Sequence, residues 1–289
     1  MQVKINRLYW LDFLRFALLF SMILYHFYWD LSYFNLINNS PFSKKLWQYF
    51  AHATAAGFLL ISGFSLTLSY FLGDNANFKT RFIIRLSKLV ISALAITIIT
   101  YVVFPQNYIY FGILHQIAIA SLILLILFRL SIILNIICVF ILLLFNKQFI
   151  TMPAFSWVGL SNFVKPSLDF VPIFPWTAYI IIGSILARLY LKVNIIFYTK
   201  KNKFITFCSK NSLIIYLIHQ PILFSIVYLI NILLQQNIIT QHKHEFINAC
   251  IQQCHLSKYS NKYCTKYCSC VMSKLYSQKL EQSIKSCIN

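Results

Sequence analysis

Apolar residues in this chain run in long blocks rather than alternating with polar ones, and the blocks set the architecture. Seven stretches, at about residues 9–28, 48–72, 84–104, 109–128, 131–146, 172–191 and 207–234, are apolar nearly throughout. A helix needs roughly 20 such residues to cross the hydrocarbon of a bilayer. The stretches meet that need, the fifth being short, and each predicts a transmembrane helix because lipid offers the backbone no outside hydrogen-bond partner. The first is not read as a cleavable signal peptide: Asp12 and Arg15 lie inside it, and no small-residue cleavage pattern follows. The expected fold class is all-α, a polytopic transmembrane helical bundle of about seven spans.

Composition sharpens this picture. Hydrophobic residues make up 59% of the 289 positions and charged residues 11%, and the mean hydropathy is +0.70. A water-soluble fold is excluded, because the polar residues are too few to cover its surface. The 25 Lys and Arg against 6 Asp and Glu give a net charge of +19. In a soluble chain that excess would indicate nucleic acid; here it points to membrane orientation, anionic lipid or cofactor phosphates. Lys4 and Arg7 place the N-terminus in the cytoplasm, and alternation then collects Lys79, Arg81, Arg85, Lys88, Arg129, Arg188, Lys192 and Lys200 to Lys210 on the same side. The opposite loops carry only Lys44, Lys45, Lys147 and Lys165. This is the positive-inside asymmetry. An odd number of crossings puts the C-terminal tail outside.

The chain divides near residue 236. Residues 1–236 hold all 6 glycines, all 7 prolines and all 5 tryptophans, whereas 237–289 hold six of the 8 cysteines. Two domains are expected: a membrane domain over 1–236 and an extracytoplasmic cysteine-rich helical hairpin over 237–289. Cys250 and Cys254, then Cys264 and Cys268, are each four residues apart, a spacing that shares one helix face. With Cys270 and Cys287 they are disulfide candidates, and six cysteines allow 15 connectivities. Metal binding competes, with His242, His244 and His255 nearby, but the spacing is not a standard zinc pattern and no metal is expected.

Ionisable side chains inside apolar spans are costly and mark candidate sites. The first span has Asp12, Arg15, His26 and Asp30. Arg15 and His26 are eleven residues apart, which puts both on one helix face about 16 Å apart along the axis. Asp12 can pair with Arg15, and Asp30 can hold the His26 imidazole in one tautomer. The bland alternative is that Arg15 snorkels to one interface while His26 hydrogen-bonds at the other. His52, His115 and Asp169 fall towards the outer leaflet with His26, a set suited to general base catalysis or to a proton relay. For His219, in Tyr216-Leu-Ile-His-Gln-Pro221, the ordinary reading is a hydrogen-bonded packing residue. Arg81, Arg85 and Lys88 recur at helical spacing on the inner side, which fits either topology or a clamp for nucleotide phosphates. The small residues Ala55-Ala-Gly and Gly63 allow close helix approach or leave room for a thin ligand.

Several motifs, taken in order, resemble one known family. Arg7-Leu-Tyr-Trp-Leu-Asp-Phe-Leu-Arg15, Met22-Ile-Leu-Tyr-His26-Phe-Tyr-Trp-Asp30, Phe58-Leu-Leu-Ile-Ser-Gly63-Phe-Ser65, Phe111-Gly-Ile-Leu-His115, Asp169-Phe-Val-Pro-Ile-Phe-Pro175-Trp176 and Tyr216-Leu-Ile-His-Gln-Pro221 resemble the bacterial branch of the heparan-α-glucosaminide N-acetyltransferase catalytic-domain family. The match runs over nearly all of 1–236. The spacing of Arg15 and His26 is also similar to the first-helix motif of membrane acyltransferase family 3. One departure matters: the catalytic histidine of the animal enzymes lies in the loop after the first helix, and no position here matches it, His52 included.

The resemblance implies a transmembrane acetyltransferase that takes acetyl from cytoplasmic acetyl-CoA and delivers it to a saccharide or glycolipid on the other side. On that reading His26 is the general base or acyl carrier, and Asp30 orients it. Arg15, Arg81, Arg85 and Lys88 are the acetyl-CoA candidates, and His52, His115 and Asp169 line the acceptor side. The location expected is a bacterial inner membrane with the tail in the periplasm. The partners expected are the acceptor and membrane lipid, not nucleic acid, with homodimerisation left open. The rival readings are a proton-coupled transporter or flippase of an envelope precursor, and a membrane scaffold whose cysteine hairpin binds a partner.

Overall fold

The structure, a computed structural model, describes residues 7–37, 40–73, 75–144, 151–162, 165–193, 200–256, 259–275 and 286–287, by backbone alone at 75–76, 154, 236–244 and 274–275. Nine α-helices are seen among them: α1 (Tyr9–Tyr33), α2 (Pro41–Phe71), α3 (Asn75–Val103), α4 (Ile113–Leu127), α5 (Ile132–Leu144), α6 (Ile173–Val193), α7 (Lys203–Lys210), α8 (Ser212–Leu256) and α9 (Asn261–Leu275). One isolated bridge pairs Phe111 with Phe170. Local chemistry sets the helix starts. Ser40 accepts from the Ser43 N–H ahead of Pro41, and Asn202 accepts from Phe204 and Ile205 at 2.9 and 3.2 Å.

Each apolar stretch of the sequence contains a helix among its described residues. Five of them, α1, α2, α3 (from Asn77), α6 and Ser212–Gln235 of α8, are long and apolar enough to cross a membrane by length and composition. The protein is a membrane protein. Two differences from the even pattern of seven spans have local causes. Helix α4 is only 15 residues long, about 22 Å, because residues 109–112 are drawn out of the helix to meet the segment before α6. The apolar run at 207–234 is broken at Asn211, after which α8 continues unbroken through Pro221 to Leu256. Helix α5 is shorter still, at 13 residues, and residues 145–150 that follow it lie outside the described set.

Two compact units are seen, Met1–Trp29 with Asn38–Ile222, and Asp30–Ile37 with Leu223–Asn289. In the first, α2 and α6 form the central pair. A Cβ on Gly63 would collide with the Ile180 carbonyl, and one on Gly183 with the Leu60 carbonyl, so the two backbones touch where no side chain fits. Thr67, fully buried, lies 2.8 Å from the Gly63 carbonyl and 2.9 Å from the Ser184 hydroxyl, binding the same seam. The small residues around Gly63 therefore serve close helix approach. Leu59, Leu124, Ile180 and Ile181 fill the core beside it, while Ile98, Val102, Ile126, Ile133 and Phe140 point outward, as lipid requires and water forbids.

The turn between α4 and α5 is held from α6. Arg188 donates to the Leu130 and Leu127 carbonyls at 2.8 and 3.1 Å, and its guanidinium lies over the Phe71 ring. A basic residue that topology alone would place at a membrane surface is thus a buried cap on the last carbonyl of α4 and on the turn that follows it.

In the second unit, disulfides join Cys250 to Cys268, Cys254 to Cys264, and Cys270 to Cys287. The first two staple the end of α8 to α9 as an antiparallel hairpin, with Cys264 and Cys268 fully buried. All six tail cysteines are thus engaged in disulfides, as their positions in the sequence led one to expect. His242 and His244 have side chains outside the described set. Phe224 packs on Tyr33 and Phe34 at 5.7 and 5.1 Å in the same unit.

Candidate active site

Two groups of polar side chains interrupt the apolar interior of the first unit, one at each end of α1. The first centres on Asp12, which is 2% exposed. Its carboxylate accepts from Arg7 Nε and Nη2 at 2.6 and 3.0 Å, from Arg15 Nη1 at 3.4 Å and from the Ser209 hydroxyl at 2.7 Å. Arg15 also donates from Nη2 to Ser65 Oγ at 2.6 Å. Ser65 in turn donates to the Ile61 carbonyl. One turn further along α2, Ser62 Oγ accepts from Arg85 Nη2 at 2.8 Å. Arginines from α1 and α3 therefore converge on one face of α2, and α7 joins them through Ser209. A cavity of about 260 Å³ opens there, lined by Arg7, Asp12, Arg15, Ser65 and Ser69 with leucines between them. Of the other basic candidates, Arg81 lies against Gly73 at the end of α2, and Lys88 is exposed on α3.

The second group lies about 16 Å further along α1. The rings of His26 and His219 meet edge to face at 4.9 Å, with Tyr25 beside His26 and Tyr216 beside His219. His219 Nδ1 is 2.7 Å from the Tyr216 carbonyl oxygen. A carbonyl only accepts, so Nδ1 carries the proton and Nε2 carries the lone pair. That Nε2 is buried and has no hydrogen-bond partner among the described residues. An imidazole fixed in one tautomer with its basic nitrogen withheld from the protein is equipped to take a proton from, or attack, something that enters.

Asp169 lies within electrostatic reach of the Tyr25 and Tyr216 hydroxyls. Its Oδ2 accepts from the Ile113 N–H at 2.9 Å, at the positive end of α4, and a Cβ on Gly112 would strike it. Burial pushes the Asp169 carboxyl up to about 6, against the Ile113 bond that lowers it, although the residue keeps part of its surface exposed. The folded value lies above the ordinary one near 4, so the folded state binds more protons between about pH 4 and 6. Stability contributed by this group is full below that window and lost as pH rises through about 6. Asp169→Asn keeps an acceptor for Ile113 and cannot ionise. Its unfolding midpoint is expected to exceed the wild-type one above pH 6 and to change less between pH 4 and 6. An unchanged pH dependence in thermal scans would show that another group governs it.

His115 is engaged at both nitrogens. Gly112 N–H donates to Nδ1 at 3.2 Å, and Nε2 lies 3.3 Å from Thr97 Oγ1, itself a donor to the Ile109 carbonyl. The ring thus caps the first turn of α4. His52 is exposed on α2, with Nδ1 2.8 Å from the Gln48 carbonyl and its ring stacked on Trp176 at 5.5 Å. Asp30 is buried in the second unit, four residues beyond His26 on the same helix.

Of the sequence candidates, the structure brings Arg15 and Arg85 together on α2. It pairs His26 with His219, a residue read from sequence as packing, and adds Tyr25, Tyr216 and Ser209. An ionisable residue deep in an apolar stretch was the available signal for His219. The serines carried none.

No curated protein and no solved structure matches the chain at a significant level. A family model described as heparan-alpha-glucosaminide N-acetyltransferase, catalytic, matches residues 7–221, a range that takes in both polar groups and stops two residues after His219. The chain belongs to the heparan-α-glucosaminide N-acetyltransferase catalytic-domain family, a family of acetyltransferases.

Proposed function

We propose that this protein transfers an acetyl group from cytoplasmic acetyl-CoA to a hydroxyl or amine of a saccharide or glycolipid on the other side of the membrane. The observation that carries the proposal is the buried His26–His219 pair, with the His219 Nε2 lone pair free of any donor among the described residues. Along α1 the pair lies about 16 Å from Arg15, which lines a cationic cavity. Acetyl-CoA supplies an activated thioester acyl group and bears phosphates. The cavity fits the phosphate-bearing end, because two guanidinium groups and serine hydroxyls line it against the single carboxylate of Asp12, while apolar side chains complete its walls. Arg7, Arg15 and Ser65 are the residues that would hold that end, with Arg85 one turn away. The positive-inside bias of the basic loops supports a cytoplasmic position for this end, and the disulfides of the second unit support an oxidising compartment for it, the periplasm of a bacterial inner membrane on this reading.

At the opposite end His219 Nε2 accepts the proton of the attacking hydroxyl or amine as that oxygen or nitrogen bonds the acetyl carbon; the thioester C–S bond then breaks, and the CoA thiolate leaves with the proton that the imidazole returns. The edge of His26 excludes water from that nitrogen, and His26 shares the proton or the acyl group in turn. Tyr25, Tyr216 and Asp169 form the acceptor wall, with His115 holding the start of α4 in place and His52 at the rim on Trp176.

Radiolabelled acetyl-CoA offered to inside-out vesicles tests this reading. Label is expected on lumenal saccharide with wild type and at background with His26→Ala. Substrate movement without any acetyl-CoA binding or transfer would instead make the protein a transporter.

A further inference from the structure

The family match ends at residue 221, so the disulfide-stapled hairpin lies outside it. From residue 258 the sequence repeats every four residues: Lys-Tyr-Ser-Asn, Lys-Tyr-Cys-Thr, Lys-Tyr-Cys-Ser. On a helix that spacing lays each residue type in its own row, drifting about 40° per step. The cysteine row faces inward, where Cys264 and Cys268 form disulfides to α8 and are fully buried. The neighbouring tyrosine row keeps surface: Tyr259 is 57% exposed and Tyr263 41%, and Tyr267 is half-buried. Their rings form an offset ladder, Tyr259 to Tyr263 at 5.1 Å and 30°, Tyr263 to Tyr267 at 6.1 Å and 5°. At those separations parallel rings are displaced sideways, so each leaves ring face uncovered. Lys262 and Lys266 are exposed on the next row, and no carboxylate occurs between residues 246 and 280.

We infer that the Tyr259–Tyr263–Tyr267 row is a binding platform for an anionic, pyranose-built polysaccharide. Tyrosine offers a rigid apolar face with a polar tip, which suits the C–H face and rim hydroxyls of a sugar ring. The ring-to-ring step is comparable to one pyranose unit along a chain. The exposed lysines favour a polysaccharide carrying carboxylates, and the disulfides fix the row without a large core. The choice of a saccharide occupant rests on the acetyl-acceptor reading above. On that reading the platform gathers the acceptor, or the polymer that bears it, beside the enzyme.

Binding to the full-length protein in nanodiscs of zwitterionic lipid tests this, without any acetyl donor. The probes are polygalacturonate (charged rings), its methyl ester (rings without charge) and polyacrylate (charge without rings). Wild type is expected to bind polygalacturonate more tightly than either control. Tyr259→Ser/Tyr263→Ser should weaken that binding roughly tenfold or more while leaving polyacrylate unaffected. Lys262→Gln/Lys266→Gln should remove the preference for polygalacturonate over its ester. A thiol count confirming three disulfides shows that each variant keeps its hairpin. Four results overturn the inference: no binding of polygalacturonate, equal binding of polyacrylate, no effect of the tyrosine substitutions, or a loss confined to phosphatidylglycerol vesicles, which would make the row a membrane contact. Saccharide binding in a protein that transfers no acetyl would keep the platform and sink the acetyltransferase reading instead.

Discussion

Alanine at position 219 is expected to lower acetyl transfer by at least about a hundredfold, the range typical of losing a positioned general base. The reason lies in the tautomer. Because Nδ1 is committed to the Tyr216 carbonyl, Nε2 keeps its lone pair, and no described group uses it. His219→Gln is the informative companion: it retains a side-chain hydrogen-bonding group of similar reach but no basic nitrogen, so its activity should fall as far. If His26 and His219 act on one proton, the double alanine variant should be little worse than either single one, because groups that work as a unit do not contribute additively. The amount of folded protein in the membrane should be unchanged, since the residue is at the packed surface of one helix and contributes one local bond. Full activity in His219→Gln would remove this residue from the chemistry and leave His26 to act alone.

Asp12→Ala should produce the largest loss of stability. Four donors from Arg7, Arg15 and Ser209 meet on this one buried carboxylate, and Ser209 is the only described side-chain hydrogen-bond link from α7 to α1. Breaking a buried ion pair from one side costs about 3–5 kcal/mol, because the remaining charge stays in place without its partner. The lower end applies, since the side chains of Arg7 and Arg15 are 36% and 27% exposed and can turn towards water. Asp12→Asn keeps an acceptor for Ser209 and should fall between the two. Thermal unfolding of the detergent-solubilised protein measures this, and a wild-type midpoint for Asp12→Ala would contradict it.

The helices were legible because lipid imposes one rule on every span: apolar residues for the length of the crossing, with backbone bonds closed internally. All seven stretches became helices for that reason. The shortening of α4 was not legible, because it depends on Asp169 reaching the Ile113 N–H from 56 residues away. The cysteine spacing i, i+4 foresaw a stapled hairpin; which cysteine met which was settled only by the antiparallel register. For the site, the arginine and histidine on one face of α1 could be read from spacing. What they touch could not. Arg15 ends on serines from two other helices, and His26 on a histidine nearly two hundred positions away. His115 shows the converse limit, since an imidazole with both nitrogens occupied looks, in sequence, like one with both free.

The contact at Gly63 and Gly183 also bears on movement. A seam made of carbonyl against bare Cα has no rotamers to reset, so α2 and α6 cannot roll or slide past each other without opening a gap on one side and a clash on the other. They behave as a fixed spine. On the function proposed above, any rearrangement that admits a long donor from one face and a sugar from the other must then be carried by the helices around that spine, which bear the arginines and the histidine pair.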